Sequence, residues 1–169
     1  MSLEVVNNLN FKNIITVRFN NIIEGFDNYK YIELSPVNIE GENEENFIKA
    51  FEEFYDINEG SLIIDFYKNK MDYKSINFIK NNLSIEDNIL FDKIINEISD
   101  NNIYYKINNK NYIRLLTRLC TRELFFITFY FYKYPVTIWG NYNLKFPLFY
   151  EDNKYINEYI KIAQTNKLY

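Results

Sequence analysis

The sequence predicts an α+β fold: a mainly antiparallel sheet of about six to eight strands, with about four helices packed against it in two layers. Three observations predict it. Apolar residues recur at helical spacing between Glu44 and Ile98. Segments of strand period crowd the second half of the chain, and Asn- and Gly-containing turns separate the units. No repeat or interdomain linker interrupts the chain, so residues 1–169 are expected to form one domain. Its mixed α/β half runs to about residue 100, followed by a β-meander over 103–149 and a closing helix over 152–165.

Residues 1–12 are assigned no element. Asn13–Phe19 alternates, with Ile15, Val17 and Phe19 on one side and Ile14, Thr16 and Arg18 on the other, which reads as a strand. Tyr29–Leu34 is a second strand, stopped by Ser35-Pro36, and Gly25 with Asp27-Asn28 supplies the turn of a loose hairpin. Val37–Glu42 is a loop. Asn43 caps a helix over Glu44–Tyr55, whose first-turn Glu44 and Glu45 suit the positive end of the helix dipole. Phe47, Phe51, Phe54 and Tyr55 form its apolar stripe. Ser61–Tyr67 is an apolar run of strand length and the best candidate for a buried central strand, with Asp65 anomalous inside it. Asp72 caps a short helix to Asn82. Ser84 caps another, with Asp87 three residues on and Ile85, Ile89, Leu90, Ile94, Ile95 and Ile98 at helical period.

After Asp100-Asn101-Asn102 the period changes to two. Ile103–Ile107 and Tyr112–Leu119 flank Asn108-Asn109-Lys110 as a hairpin. Glu123–Lys133 is a long strand carrying aromatic residues on both faces, broken by Tyr134-Pro135. Val136–Trp139 and Leu144–Phe149 are short strands around Gly140-Asn141, and Pro147 pushes the last one towards an edge. Asp152 caps a final helix to Thr165.

Composition excludes more chemistry than it suggests. There is no histidine, which removes His-dependent acid–base catalysis, Ser-His-Asp and Cys-His nucleophiles, and nearly all transition-metal sites. The four glycines are scattered, so no phosphate loop is present, and no cofactor or metal is expected. The single cysteine, Cys120, excludes an internal disulfide and fits a reducing, cytoplasmic setting. The start has no secretory pattern, and no apolar run approaches the ~18 residues of a membrane span. Aromatic residues make up 19% of the chain. Together with the Asn, Ile and Lys excess they fit the coding bias of an AT-rich bacterium.

Within this background, Asn111–Tyr150 stands out. Three of the four arginines, Arg114, Arg118 and Arg122, fall here, and five cations face one anion, giving +4 in a chain of net charge −4. Because lysine is the default cation, arginine suggests a need for a planar, multi-donor fork. On a strand Arg114 and Arg118 share a face; on a helix all three arginines do. Arg114, Arg118 and Arg122, with Tyr130, Trp139 and Asn141, are therefore expected to bind a protein partner or a small anionic ligand. The sequence favours a non-enzymatic binding module. One alternative is an enzyme or sensor for a phosphorylated or carboxylated molecule, with Glu123 or Asp65 as acid and base. A second is single-stranded nucleic-acid binding on the aromatic strands, which the net charge disfavours. The competing structural expectation pairs the arginines with Glu123, Asp65 or the acidic Glu40–Glu59 region, and buries the aromatics as core.

Overall fold

The computed structural model describes residues 3–38, 40–41, 43–99 and 101–169. Among these residues seven strands form one antiparallel sheet: β1 (Leu3–Val6), β2 (Lys30–Leu34), β3 (Leu62–Asp65), β4 (Tyr104–Ile107), β5 (Thr128–Phe131), β6 (Val136–Trp139) and β7 (Phe146–Tyr150). Their order is β1-β4-β3-β5-β6-β7-β2, so β3 and β5 lie centrally and the two N-terminal strands occupy the edges. The helices are α1 (Asn8–Ile14), α2 (Ile22–Asn28), α3 (Asn43–Ile57), α4 (Tyr73–Asn81), α5 (Ile85–Glu97), α6 (Asn111–Thr121) and α7 (Ile156–Thr165). The fold class is the α+β class that the sequence predicts, with more helices than expected.

The pleat sends alternate side chains to opposite faces. Leu62, Ile64, Phe129, Phe131, Ile138 and Leu148 enter the main core, where α3, α6 and α7 contribute Phe47, Phe51, Phe54, Ile113, Leu116, Leu119 and Tyr159. Phe51 meets Phe129 edge to face, and Phe54 contacts both Phe131 and Tyr159. The opposite face carries Ile63 and Tyr130, which form a smaller cluster with Val6, Phe11 and Ile15. That face is covered by chain from α1 to α2: Phe11 stacks on Tyr104, and Phe19 packs against Trp139 and Phe149. Asp65 pairs in register with Tyr104 across β3 and β4, and Ile63 pairs with Tyr130 across β3 and β5. Asp65 therefore points to the thinly covered face.

Several sequence expectations require correction. Asn13–Phe19 is not a strand: α1 ends at Ile14, and the residues that follow lie extended over the sheet without joining it. Their alternation is real, since Ile15 and Val17 are buried. Their backbone groups, however, bond to side chains: the Thr137 hydroxyl donates to the Val17 carbonyl, and the Tyr29 hydroxyl donates to the Thr16 and Arg18 carbonyls. The loose hairpin to β2 accordingly does not exist. Instead Asn21 caps α2, its side chain accepting from the amides of Ile23 and Glu24.

Tyr112–Leu119 belongs to helix α6. The adjacent pairs Leu115-Leu116 and Leu119-Cys120, four residues apart, are all buried, which a two-sided strand period cannot produce beside the partly exposed Arg114 and Arg118. The long Glu123–Lys133 strand shrinks to Thr128–Phe131, buried on both faces. β7 is an interior strand, not an edge. Pro147 lies opposite Glu33 of β2, and the pairing with β6, which spans Thr137–Phe149 and Ile138–Leu148, does not include it. The final helix begins at Ile156, four residues beyond Asp152. By contrast, Asp72 and Ser84 cap α4 and α5 as expected, accepting from the amides of Ser75 and Asp87. Ile39 and Glu42, within the loop read over Val37–Glu42, and Asp100 of the following turn lie outside the described residues.

Candidate functional site

The arginines come first, because the sequence points to them. Helical spacing does gather them on one face of α6, above the N-termini of α3 and α5. Each one meets a carboxylate of this chain. Arg122 grips Glu44 with two nitrogens, at 2.7 and 2.9 Å, and donates to the Asn82 carbonyl at 2.7 Å. Arg118 reaches Asp87 at 2.6 Å, Glu44 at 3.1 Å and Glu45 at 3.3 Å. Arg114 pairs with Glu45. The acids stand in the first turns of their helices, where the dipole also favours them. Burial pushes the Glu44 carboxyl up, but the bonds and charges of Arg122 and Arg118 more than reverse this and leave it below its ordinary range. Three cations and three carboxylates make a closed set. The adjoining cleft, about 500 Å³, is lined by Glu52, Glu86 and Asp87 as well as by the three arginines. An incoming anion would have to displace carboxylates that are already bound.

A second cavity, about 640 Å³, opens on the thinly covered sheet face. Its floor is Asp65, Thr128 and Tyr130, with Tyr104 beside them; its far wall is Trp139 and Gly140. The turn after α6, residues 123–127, and Tyr142 form one rim, and Phe19, Tyr67 and Lys70 form the other. The volume falls in the range of small-molecule sites. Four of the eight residues singled out in the sequence line it: Asp65, Glu123, Tyr130 and Trp139. Asn141 is not among the lining residues, and Arg114, Arg118 and Arg122 line the other cleft.

Asp65 is the centre of this cavity. It is 6% exposed and its Oδ1 accepts from the Thr128 amide at 2.7 Å. Burial pushes its carboxyl up, against the hydrogen bonds from Thr128 and the distant charge of Lys70, to about 6. Among the described residues it has no salt-bridge partner. Three phenols surround it. Burial and then the Asp65 charge push Tyr67 up to about 12 and raise Tyr104 and Tyr130, so all three keep their protons. The Lys70 ammonium lies 4.2 Å from the centre of the Tyr67 ring.

Two backbone devices hold the walls. Gly140 donates to the Ile127 carbonyl, and a Cβ there would stand 2.8 Å from that oxygen and 2.9 Å from Cys120 Sγ. Only glycine lets the end of β6 approach the turn so closely. Glu123 sits at φ 56°, just past the end of α6, where the Leu124 amide bonds to the Leu119 carbonyl and the Glu123 amide to the Cys120 carbonyl. Its Oε1 accepts from the Asn143 amide at 2.8 Å, fixing the turn that presents Tyr142 against Phe126. Cys120 is fully buried, and burial raises its thiol far above the range of a reactive cysteine.

Tyr67, Tyr104, Lys70, Phe19 and Phe126 were not singled out in the sequence. The one signal available was Asp65, an acid within an apolar strand; the residues around it follow from strand register. Comparison with protein-family models, curated proteins and solved structures finds no match to this chain. No group of three or more His, Cys, Asp or Glu side chains suited to a metal ion occurs among the described residues. No helix among them is long and apolar enough to cross a membrane.

Proposed function

We propose that this chain is a small-molecule-binding protein whose ligand occupies the Asp65 cavity. The observation that carries the reading is a buried carboxylate without an ion-pair partner among the described residues, at the floor of a cavity about 640 Å³ in volume and walled by aromatic rings. A buried charge left unmatched costs stability, and structural carboxylates are ordinarily paired. The arginine cluster of the same protein shows that pairing carried through. Its ligand-binding role, expected from the sequence, gives way to a structural one that clamps α3, α5 and α6 together. The single cysteine suits the reducing interior of a cell, and a bacterial cytoplasm is the proposed setting.

The chain has one tryptophan, Trp139, and it lines the cavity. Titrating the protein with a chemically broad panel of small organic compounds while following Trp139 emission and melting temperature tests the reading. A compound that changes the emission, raises the melting temperature and loses affinity in Asp65→Asn supports it. Failure of every compound to do so overturns it.

A second reading, acid–base catalysis on the bound molecule, draws on one further observation. The Asp65 carboxyl lies near neutrality, poised to exchange a proton, with neutral phenols able to donate beside it. Once a ligand is known, its conversion by the wild type and not by Asp65→Asn, at comparable affinity, decides for this reading over simple binding.

A further inference from the structure

The charge of the cavity selects among ligands, and we infer that its ligand is an organic cation: a protonated amine or quaternary ammonium carried on a flat apolar body. This rests on the Asp65 cavity being the binding site. Among the charged lining residues, Asp65 and Glu123 are acids and Lys70 is the one base. The acids occupy different depths. Asp65 lies buried at the floor, and Glu123 lies exposed at the rim, fixed by its bond to Asn143. Between them stand Phe19, Phe126, Trp139, Tyr67, Tyr104 and Tyr142, whose ring faces carry partial negative charge.

The protein already uses this surface for a cation of its own, since the Lys70 ammonium rests on the Tyr67 ring at the rim. A ligand cation at the floor would do better, because there it gains a desolvated carboxylate as well as ring faces. An anion meets the opposite situation. Asp65 repels it, and the floor offers it neutral hydroxyls, those of the phenols and of Thr128, the last already bonded to Asp65. A neutral ligand leaves the Asp65 charge buried and unmatched.

Proton linkage gives the inference a signature. Asp65 is faced by Tyr67, Tyr104 and Tyr130, by Lys70 at a distance, by Glu123 at the rim and by the buried thiol of Cys120 from α6. In that setting burial brings the Asp65 carboxyl up to about 6. A cation binds its ionised form, so affinity should be full at pH 8 and about tenfold weaker at pH 5.

The experiment uses matched sets of cationic, neutral and anionic compounds on a common aromatic body, such as 2-phenylethylammonium, 3-phenylpropionamide and 3-phenylpropionate. Trp139 emission and melting temperature are read at pH 5 and pH 8 for the wild type, Asp65→Asn and Glu123→Gln. Tighter binding of the cations, weakened about tenfold at pH 5 and by at least that factor in Asp65→Asn, is the expected result. Equal or tighter binding of neutral or anionic members overturns the inference and leaves the cavity standing as a site. Silence from every charge class, at millimolar concentration and both pH values, removes the cavity itself as a binding site, and the inference with it.

Discussion

The arginine cluster and the Asp65 cavity lie on opposite faces of one sheet and treat buried charge in opposite ways. At the cluster, Arg118 is 14% exposed and Asp87 5%, and each has its partner within 2.6 Å. In the cavity, Asp65 is as buried as Asp87 but meets an amide and aromatic rings in place of a guanidinium. The first arrangement pairs its charges internally, so an incoming anion would have to displace a bound carboxylate. The second holds a carboxylate by hydrogen bonds from Thr128 without an ion pair among the described residues, and on the proposed reading a ligand supplies the missing charge. A group of charges conspicuous in sequence reports that charges are needed in one place; whether they act on a ligand or on each other depends on what packs above them. The contrast can be broken or sharpened by mutation.

The largest effect is expected at Arg118. Replacing it with Ala strands Asp87 in a nearly dry position and removes one of the two arginines that hold Glu44. The loss should be about 3 kcal/mol or more. In a chain of this length that is a fall of about 10 °C in melting temperature. Emission of Trp139 in the folded variant should be unchanged. Because the Glu44 carboxyl is held below its ordinary 4.5, the stability it contributes is present above that value and lost as pH falls through the lowered one. Acid unfolding of the wild type should therefore be steeper than that of Glu44→Gln. A stable Arg118→Ala protein would make the cluster dispensable and reopen it as a ligand site.

Asp65→Asn should act in the other direction. Its acid has a folded value of about 6 against an ordinary 3.8. The folded state thus holds the extra proton between those values, so the group favours folding below 3.8 and that favour is lost as pH rises through about 6. The amide cannot ionise and still accepts from the Thr128 amide. Relative to the wild type, the variant should gain up to about 3 kcal/mol between pH 4 and pH 8, read from denaturant unfolding at each pH. A gain in stability with a loss of ligand would mark Asp65 as kept for function. A loss of stability at pH 8 would mean the carboxylate has a partner and the two faces are alike.

Much of the fold was legible where local signals act alone. Asp72 and Ser84 cap their helices, Phe47, Phe51 and Phe54 face the core, and Val136–Trp139 has the bounds read from its sequence. Two segments misled for physical reasons. In residues 15–19 the alternation of burial comes from lying across a sheet, and ladder bonding, which sequence does not display, is what is missing. At 111–121 an asparagine-rich turn suggested a hairpin, while the arginine spacing of four and the paired leucines reported a helix. α1 and α2 are too short, at seven residues each, to show a period, and their Asn7 and Asn21 caps are hidden among many other asparagines. The site was half legible. Asp65 was visible as an acid in an apolar strand, but Tyr104 joins it only through the β3–β4 register, and Phe19 only through the covering segment.

Gly140 tests the architecture of the cavity without touching its charge. A methyl group there meets a backbone oxygen and the Cys120 sulfur, both held by buried structure. Gly140→Ala should cost about 1–3 kcal/mol, with a red-shifted Trp139 emission as the adjoining wall opens. An unaffected variant would mean that the turn over the cavity gives way freely, and the wall would lose its claim to be rigid.

The smallest effect belongs to Arg114, and it asks how far the closed set of charges extends. Its side chain is 42% exposed, and its bond goes to Glu45, which Arg118 also reaches. Arg114→Ala removes one cation from an acid that keeps another. Water and salt screen what is lost, and the freed side chain regains its rotamers. The cost should be below about 1 kcal/mol and should shrink further in 0.5 M salt, whereas the Arg118→Ala cost should persist there. A double-mutant cycle with Glu45→Ala separates the pair from its surroundings. A coupling above about 2 kcal/mol that resists salt would show Arg114 to be part of the buried lock. A coupling near zero leaves Arg114 the one member of the cluster with a charge to spare, and hence the place where a weak anion would first be found on that face.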